Sequence, residues 1–309
     1  MKRKEWFKIV GLAAASTPFM KMKSGITNQR EKRVMRIVHM TDPHLDSGNN
    51  QEKWTRFCIR QVQSLDDPPD MIFNGGDTIN DALRQSEESV SAQWNIWNSI
   101  KQEISIPIVH CIGNHDVWGI NEAKGDTRYA KAWAVKEYGL ENRFYDFEKA
   151  GWHFIVLDST HPKEDGGWYT AKLDKEQYQW LKGRLESIPS ARPVFIFSHI
   201  PILSAAAFFD GDNESTGDWQ IPGAWVHIDA RRIVELFHKY PNVKLGISGH
   251  IHLLDEVEYN DVTYYCNGAV SGNWWKGDYH QTSAGYALIN LYEDGSFERE
   301  YVAYGWKES

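Results

Sequence analysis

Short apolar runs rich in Ile, Val and Phe recur along this chain, at Val34–Met40, Met71–Asn74, Ile106–Ile112, Trp152–Leu157, Val194–Phe197 and Val243–Ile247. Hydrophobicity that is continuous over so few residues predicts strands buried on both faces. Between the runs the period lengthens. Glu52–Leu65 carries Trp54, Phe57, Cys58, Val62 and Leu65 at helical spacing, and Leu173–Ile188 carries Leu173, Tyr178, Leu181, Leu185 and Ile188, so both predict amphipathic helices. Asp229 is placed as an N-cap before Ile233, Val234, Leu236 and Phe237, with a stop before Pro241. The last fifty residues change character, because Glu256–Asn267 and Gly285–Tyr304 read as hairpins, the second turning at Asp294-Gly295. Strand–helix alternation followed by hairpins predicts an α/β fold in which two sheets share one core with helices outside. A single domain spans residues 33–309.

Composition adds little to that picture: of 309 residues, 41% are hydrophobic and 25% charged, an ordinary globular balance. Fourteen tryptophans are read mainly as packing residues. Charge is more telling. Up to Arg36 there are ten Lys/Arg against two Glu, which leaves 24 basic and 40 acidic residues in the remainder, a formal −16. A body that acidic gains little from phosphate-backbone attraction, which argues against duplex nucleic acid as a partner.

The first 25 residues have the pattern of an export signal. A basic start (Lys2, Arg3, Lys4, Lys8) precedes a twelve-residue apolar run from Ile9 to Met20, too short for a stable membrane span. Lys2-Arg3-Lys4 resembles a twin-arginine start with Arg-Lys in place of Arg-Arg. The expectation is an exported, periplasmic protein. Cys58, Cys111 and Cys266 lie far apart with no CxxC pair, so neither a disulfide framework nor a zinc finger is encoded.

The chemistry is concentrated in five motifs, each directly behind an apolar run: Asp42-Pro43-His44, Gly76-Asp77, Gly113-Asn114-His115-Asp116, Ser198-His199 and Gly249-His250-Ile251-His252. Neighbouring strand ends lie about 5 Å apart, so residues distant in sequence converge there. The i,i+2 spacing of Asp42 with His44, and of His250 with His252, sends both side chains to one side if the backbone is extended. Any one motif is weak. Five in order supply enough imidazole, carboxylate and amide donors for two adjacent divalent ions, and the absence of thiolate points to Mn, Fe, Zn or Co. A long segment, Ser204–Val226, follows His199 and is read either as a lid or as a solvated excursion. Asp158 with His161 is read as a turn that also has the chemistry to touch substrate, and Trp274 and Trp275 as hairpin packing or a stacking surface.

In these motifs the chain resembles the calcineurin-like metallophosphoesterase superfamily, over roughly Arg36 to His252. The resemblance implies a two-sheet sandwich flanked by helices. It implies one metal on Asp42, His44, Asp77 and His252, and a second on Asp77, Asn114, His199 and His250, with Asp77 bridging. It further implies that a hydroxide generated at the paired ions attacks phosphorus in line. His115 then stabilises the transition state or protonates the leaving oxygen, with Asp116 as its orienting partner or as a support of the turn. Asn80 stands where the purple acid phosphatases have tyrosine, so a tyrosine-ligated iron is not expected. The substrate expected is a small phosphoester, nucleotide-like and most simply a diester. The alternatives are a monoester or a nucleotide diphosphate, and more remotely a nuclease or a non-catalytic platform. None of these motifs encodes an oligomeric state.

Overall fold

A computed structural model describes residues 32–47, 50–119, 125–164 and 169–307, so the export-type start lies outside the described residues. The first strand, β1 (Arg33–Met40), alternates between two apolar layers: Met35 and Ile37 enter one, Val38 and Met40 the other. Both faces are covered, which is why its sequence is a continuous apolar run. β1 lies parallel to β2 (Met71–Asn74), and β2 parallel to β3 (Ile108–His110). The third strand is shorter than its apolar run, because Pro107 has no N–H for the ladder and contributes only its carbonyl, to Ile72 N.

The second sheet is built around β5 (Trp152–Leu157), β8 (Val194–Ser198) and β9 (Val243–Ser248), which run parallel. Its outer edges are β4 (Tyr145–Lys149), antiparallel to β5, and the hairpin of β10 (Asp255–Tyr259) with β11 (Val262–Cys266). The last hairpin, β12 (Gly285–Tyr292) with β13 (Phe297–Ala303), joins the first sheet instead, with β12 antiparallel to β1. The two expected hairpins thus go to different sheets. The resulting orders are β13-β12-β1-β2-β3 and β10-β11-β9-β8-β5-β4, with a separate ribbon of β6 (Thr160–Pro162) and β7 (Tyr169–Ala171).

The two large sheets meet face to face. Phe73 of the first sheet reaches Phe197, Phe195 and Phe154 of the second, with ring centroids 5.1, 5.5 and 5.6 Å away. Helices α1 (Gln51–Gln63), α2 (Glu87–Lys101) and α3 (Ala132–Tyr138) cover the outer face of the first sheet through Val62, Trp94, Trp97, Trp133 and Tyr138. Helices α4 (Lys175–Ser187) and α5 (Ala230–Phe237) cover the second through Leu181, Leu185, Ile233 and Phe237. The fold is α/β, two sheets between helical layers. Asp174 sets the start of α4 by accepting from Gln177 N, two residues later than the apolar pattern begins. Asp229 occupies the N-cap position of α5 without capping it; its Oδ2 takes Leu173 N at 3.0 Å and ties the two outer helices together. Among the described residues no helix is long and apolar enough to cross a membrane.

Phe73→Ala removes the ring on which the sheet-to-sheet contact is centred and leaves a cavity between rigid strands, so unfolding free energy should fall by about 3–5 kcal/mol. A denaturant titration showing a loss below about 1 kcal/mol would mean that the sheets are held by other contacts.

Candidate dinuclear metal centre

The chain leaves the carboxyl ends of β1, β2, β3, β8 and β9 through the five motifs, so both sheets deliver residues to one rim. The local backbone is not the extended one that the Asp-x-His spacing implied. Asp42, His44, Asp77, His250 and His252 all have positive φ, between 45° and 71°. Such left-handed residues cost about 1–3 kcal/mol each and persist only where the surroundings hold them. Here Asp42 N donates to Gly76 O, His44 N to Asp77 O and Leu45 N to Thr78 O, all at 3.0 Å, which locks the first loop to the second. His250 N donates to Asp42 Oδ2 at 3.0 Å, and His115 N to Asp77 Oδ1 at 2.7 Å, so these two carboxylates themselves stitch the loops. At Gly249 a methyl group would overlap Thr41 Oγ1 and Asp42 Oδ2, and at Gly113 it would overlap Asp77, which accounts for both glycines.

These loops gather two groups of donors: Asp42, His44 and His252, and Asp77, His199 and His250, with ligand atoms in each group within 4.8 Å of one another. Asp77 Oδ2 lies 3.2 Å from His199 Nε2 and 4.0 Å from His44 Nε2, between the groups. Asn114 Oδ1 stands 3.0 Å from His199 Nε2. His252 Nδ1 donates to Gly272 O at 2.6 Å and His199 Nδ1 to Gly75 O at 2.7 Å, so each ring presents its Nε2 lone pair inward. His44 Nε2 and His252 Nε2 then face each other at 3.2 Å, beside an Asp42 Oδ1 that is buried without a hydrogen-bond partner. Ring nitrogens closing on an unpartnered carboxylate oxygen suit a cation, and the donor set of imidazole, carboxylate and amide suits a transition-metal pair.

His115 is directed away from Asp116. Its Nδ1 lies 3.4 Å from Asp81 Oδ1, an acid absent from the motif reading although it sits four residues after Asp77. Of the two readings of Asp116, the pairing with His115 is not formed and the support of the turn is. Asp116 is fully buried; Oδ1 accepts from Thr78 N and Ile79 N, and Oδ2 from Asp77 N, Gly113 N and Tyr138 OH. Five donors on one carboxylate make it a strut between the second and third loops, since no lone pair remains directed at the histidine.

The profile of the calcineurin-like phosphoesterases matches residues 35–254. This chain belongs to that family. It is accordingly a metal-dependent phosphoric ester hydrolase. A 3′,5′-cyclic-nucleotide phosphodiesterase of Nostoc sp. is 22% identical over 282 residues, covering 86% of this chain and 91% of the relative. A probable glycerophosphodiester phosphodiesterase of Arcobacter nitrofigilis is 22% identical over 236 residues, covering 74% of this chain and 76% of its own length. Among solved structures, a dimetal phosphatase from Danio rerio superposes with a TM-score of 0.63 at 15% identity, covering 89% of this chain and 98% of that one; it shares the fold.

Electrostatics in this phosphoesterase put His44, His250, Asp42 and Asp77 in the state that binds a cation, and His199 in the protonated one. Burial holds the pKa of His44 far down and that of His250 down to about 3, so both rings are neutral. Burial opposes ionisation of Asp42 and Asp77, but the surrounding histidines outweigh it and keep both acids well below the usual carboxylate range. His199 is raised to about 9, because Asp77 and Asp42 outweigh its burial; a metal cation bound there takes the place of that proton. Burial and the charge of Asp77 push Asp116 up to about 6, with the Gly113 and Tyr138 donors pulling the other way.

Of the two roles open to Trp274, hairpin packing and a stacking surface, the first does not describe its position. Its ring instead lies over the centre, stacked on His44 at 3.7 Å and on His252 at 5.5 Å and edge-on to His115 at 5.0 Å, whereas Trp275 turns inward and donates to Pro43 O. Both tryptophans have positive φ, a conformation that apolar periodicity does not reveal. The Ser204–Val226 segment forms a short 3-10 turn at Ala206–Phe208 and lines a groove of about 850 Å³ with Leu253, Leu254 and Tyr301; no residue of the two donor groups lines that groove.

Asp116→Asn replaces one acceptor oxygen by a donor that faces other donors. Chemical denaturation should show a loss of about 1–3 kcal/mol, with weakened metal retention on dialysis. Unchanged stability together with full metal content would remove the strut from the account.

Proposed function

We propose that this phosphoesterase is a phosphodiesterase acting on small, nucleotide-like esters with two divalent ions, in a compartment outside the bacterial cytoplasm. The observation that carries the reading is Asp77 Oδ2 lying between two inward-facing donor groups, within reach of His44 on one side and His199 on the other. In this reading Asp42, His44, Asp77 and His252 hold one ion, and Asp77, Asn114, His199 and His250 the other. Bound as a pair, such ions polarise phosphoryl oxygens and make a hydroxide nucleophile accessible near neutral pH.

The protein's own groups do the rest. Attack on phosphorus in line requires a proton for the departing oxygen on the opposite side. His115 supplies it: burial works against its protonated form, but Asp77 and Asp81 outweigh burial and raise its pKa. Asp81 holds the ring by its Nδ1 side. Trp274 covers the faces of His44 and His252, limiting solvent access to that half of the centre. The diester preference is supported by the relatives, both of which carry phosphodiesterase names. Export is supported by the basic start and the short apolar run from Ile9 to Met20.

Chelation followed by reconstitution should remove and then restore hydrolysis of bis-p-nitrophenyl phosphate, with Mn, Fe, Zn or Co as competent metals. Asp77→Ala or Asn114→Ala should lower bound metal and cut turnover by about a hundredfold or more; full turnover in either variant would refute the ligand assignment. His115→Ala should retain both metals yet slow alkyl leaving groups far more than p-nitrophenolate. Equal losses on the two would strip His115 of its acid role. Fractionation of cells expressing the full chain should recover it outside the cytoplasm, and deletion of residues 1–25 should retain it inside.

A further inference from the structure

The glycine-rich turn after the last motif carries two adjacent tryptophans, and the fold uses them differently. Trp275 packs against the hydrophobic core of the first sheet and donates its Nε1 to Pro43 O at 2.9 Å. Trp274 joins none of the hydrophobic clusters among the described residues and remains 37% exposed. Its φ of 51° is a left-handed backbone, an outlier for so bulky a side chain. Packing therefore does not account for a tryptophan here, and strain of this kind clusters where a side chain has a task.

The turn is tied to the loops that carry the first donor group. Trp275 N donates to Ser271 O at 2.8 Å, Ser271 N to Asp42 O at 3.3 Å, and His252 Nδ1 to Gly272 O at 2.6 Å. The place of Trp274 beside the centre is thus set in advance of any substrate.

The two faces of its ring differ. One is stacked on His44, 3.7 Å away at 26°, and on His252, 5.5 Å away at 24°. The exposure of the residue therefore falls on the opposite face and its rim. His115 stands beside the indole, 5.0 Å away at 74°. In the reading above His115 serves the departing oxygen, so the group attached to that oxygen lies next to the tryptophan.

An open indole face holds either an alkylated ammonium or a flat ring. Proteins that hold an ammonium close several aromatic walls around it. The ring contacts of Trp274 among the described residues are the three imidazoles already named, so no second aromatic wall opposes the outer face. A single open face suits a planar ring, which is held by stacking on one side alone.

We propose that Trp274 determines which leaving group the enzyme prefers, its outer face stacking on an aromatic or heterocyclic ring in the alcohol portion of the ester. The proposal rests on the phosphodiesterase reading above and narrows it, favouring aryl or nucleoside alcohols over alkyl ones.

The test compares methyl phenyl phosphate with methyl hexafluoroisopropyl phosphate on the metal-loaded full chain. Their leaving groups are of similar acidity, but only the first is flat. The quantity read is the ratio of the kcat/KM values; both esters are measured on one sample, so a changed metal load cancels. Wild type should favour the phenyl ester. Trp274→Leu should lower the ratio about tenfold, mainly through KM for the phenyl ester, while Trp274→Phe, which keeps a flat ring, should hold it within about threefold of wild type. No preference in wild type, an unchanged ratio in Trp274→Leu, a fall as deep in Trp274→Phe, or a loss confined to glycerophosphocholine run alongside would each overturn the proposal. Failure of the wild-type enzyme on every diester defeats the phosphodiesterase reading instead. The stacking face is then judged by calorimetric binding of phenyl phosphate against methyl phosphate, wild type preferring the former and Trp274→Leu losing about tenfold of that preference. Equal binding of the two by wild type, or a preference unmoved in Trp274→Leu, counts against it.

Discussion

Carboxylate oxygens and imidazole lone pairs are held facing one another in a dry pocket between the ends of two sheets, and the rest of the molecule is organised around that unfavourable arrangement. Asp42, His44, Asp77, His199 and His252 are essentially inaccessible, and Asp42 and Asp77 are kept ionised against burial by the histidines beside them. Groups of this kind repel or go unpaired unless a cation joins them, and a folded chain must supply enough rigidity to keep them from drifting apart.

That rigidity comes from three sources on different scales. The sheet-to-sheet layer around Phe73 fixes the two strand sets that carry the loops. Asp116 then ties the second and third loops by gathering four backbone amides and a tyrosine hydroxyl. At the smallest scale, backbone carbonyls of Gly75 and Gly272 set the orientation of His199 and His252. Five of the candidate ligand residues lie in left-handed backbone and store strain that only this combined framework can sustain. Strain placed at the carboxyl ends of strands is compatible with a stable core because the strands themselves remain regular.

Around the centre the residues divide by what they face. His115, held by Asp81, stands beside the donor groups but joins neither of them. Trp274 covers one half of the centre, and Tyr169 borders the other. The walls are therefore aromatic on both sides while the floor is polar. Such a site suits an anionic phosphoryl group joined to a flatter, less polar substituent.

The amino-acid pattern by itself determined the strand runs, the two outer helices on the second sheet, both late hairpins and the seven motif residues that the fold brings to one rim. Continuous Ile/Val/Phe runs could only be satisfied by strands covered on both faces, and imidazoles and acids following each run had only the strand ends to occupy. Helix α2 was also encoded, by Ser86 as its cap and by Val90, Trp94 and Trp97 at helical spacing, but polar residues within that pattern hid it. Other features were decided by tertiary structure alone. Which sheet each hairpin joins depends on edge pairing, which local periodicity does not contain. The left-handed ligand backbone, the turning of Asp116 away from His115 toward backbone amides, the partnership of Asp81 with His115 and the placing of Trp274 over the histidines all arise from contacts between loops far apart in sequence. A side chain's type limits the chemistry it can perform; its partners are set by what the assembled fold packs against it.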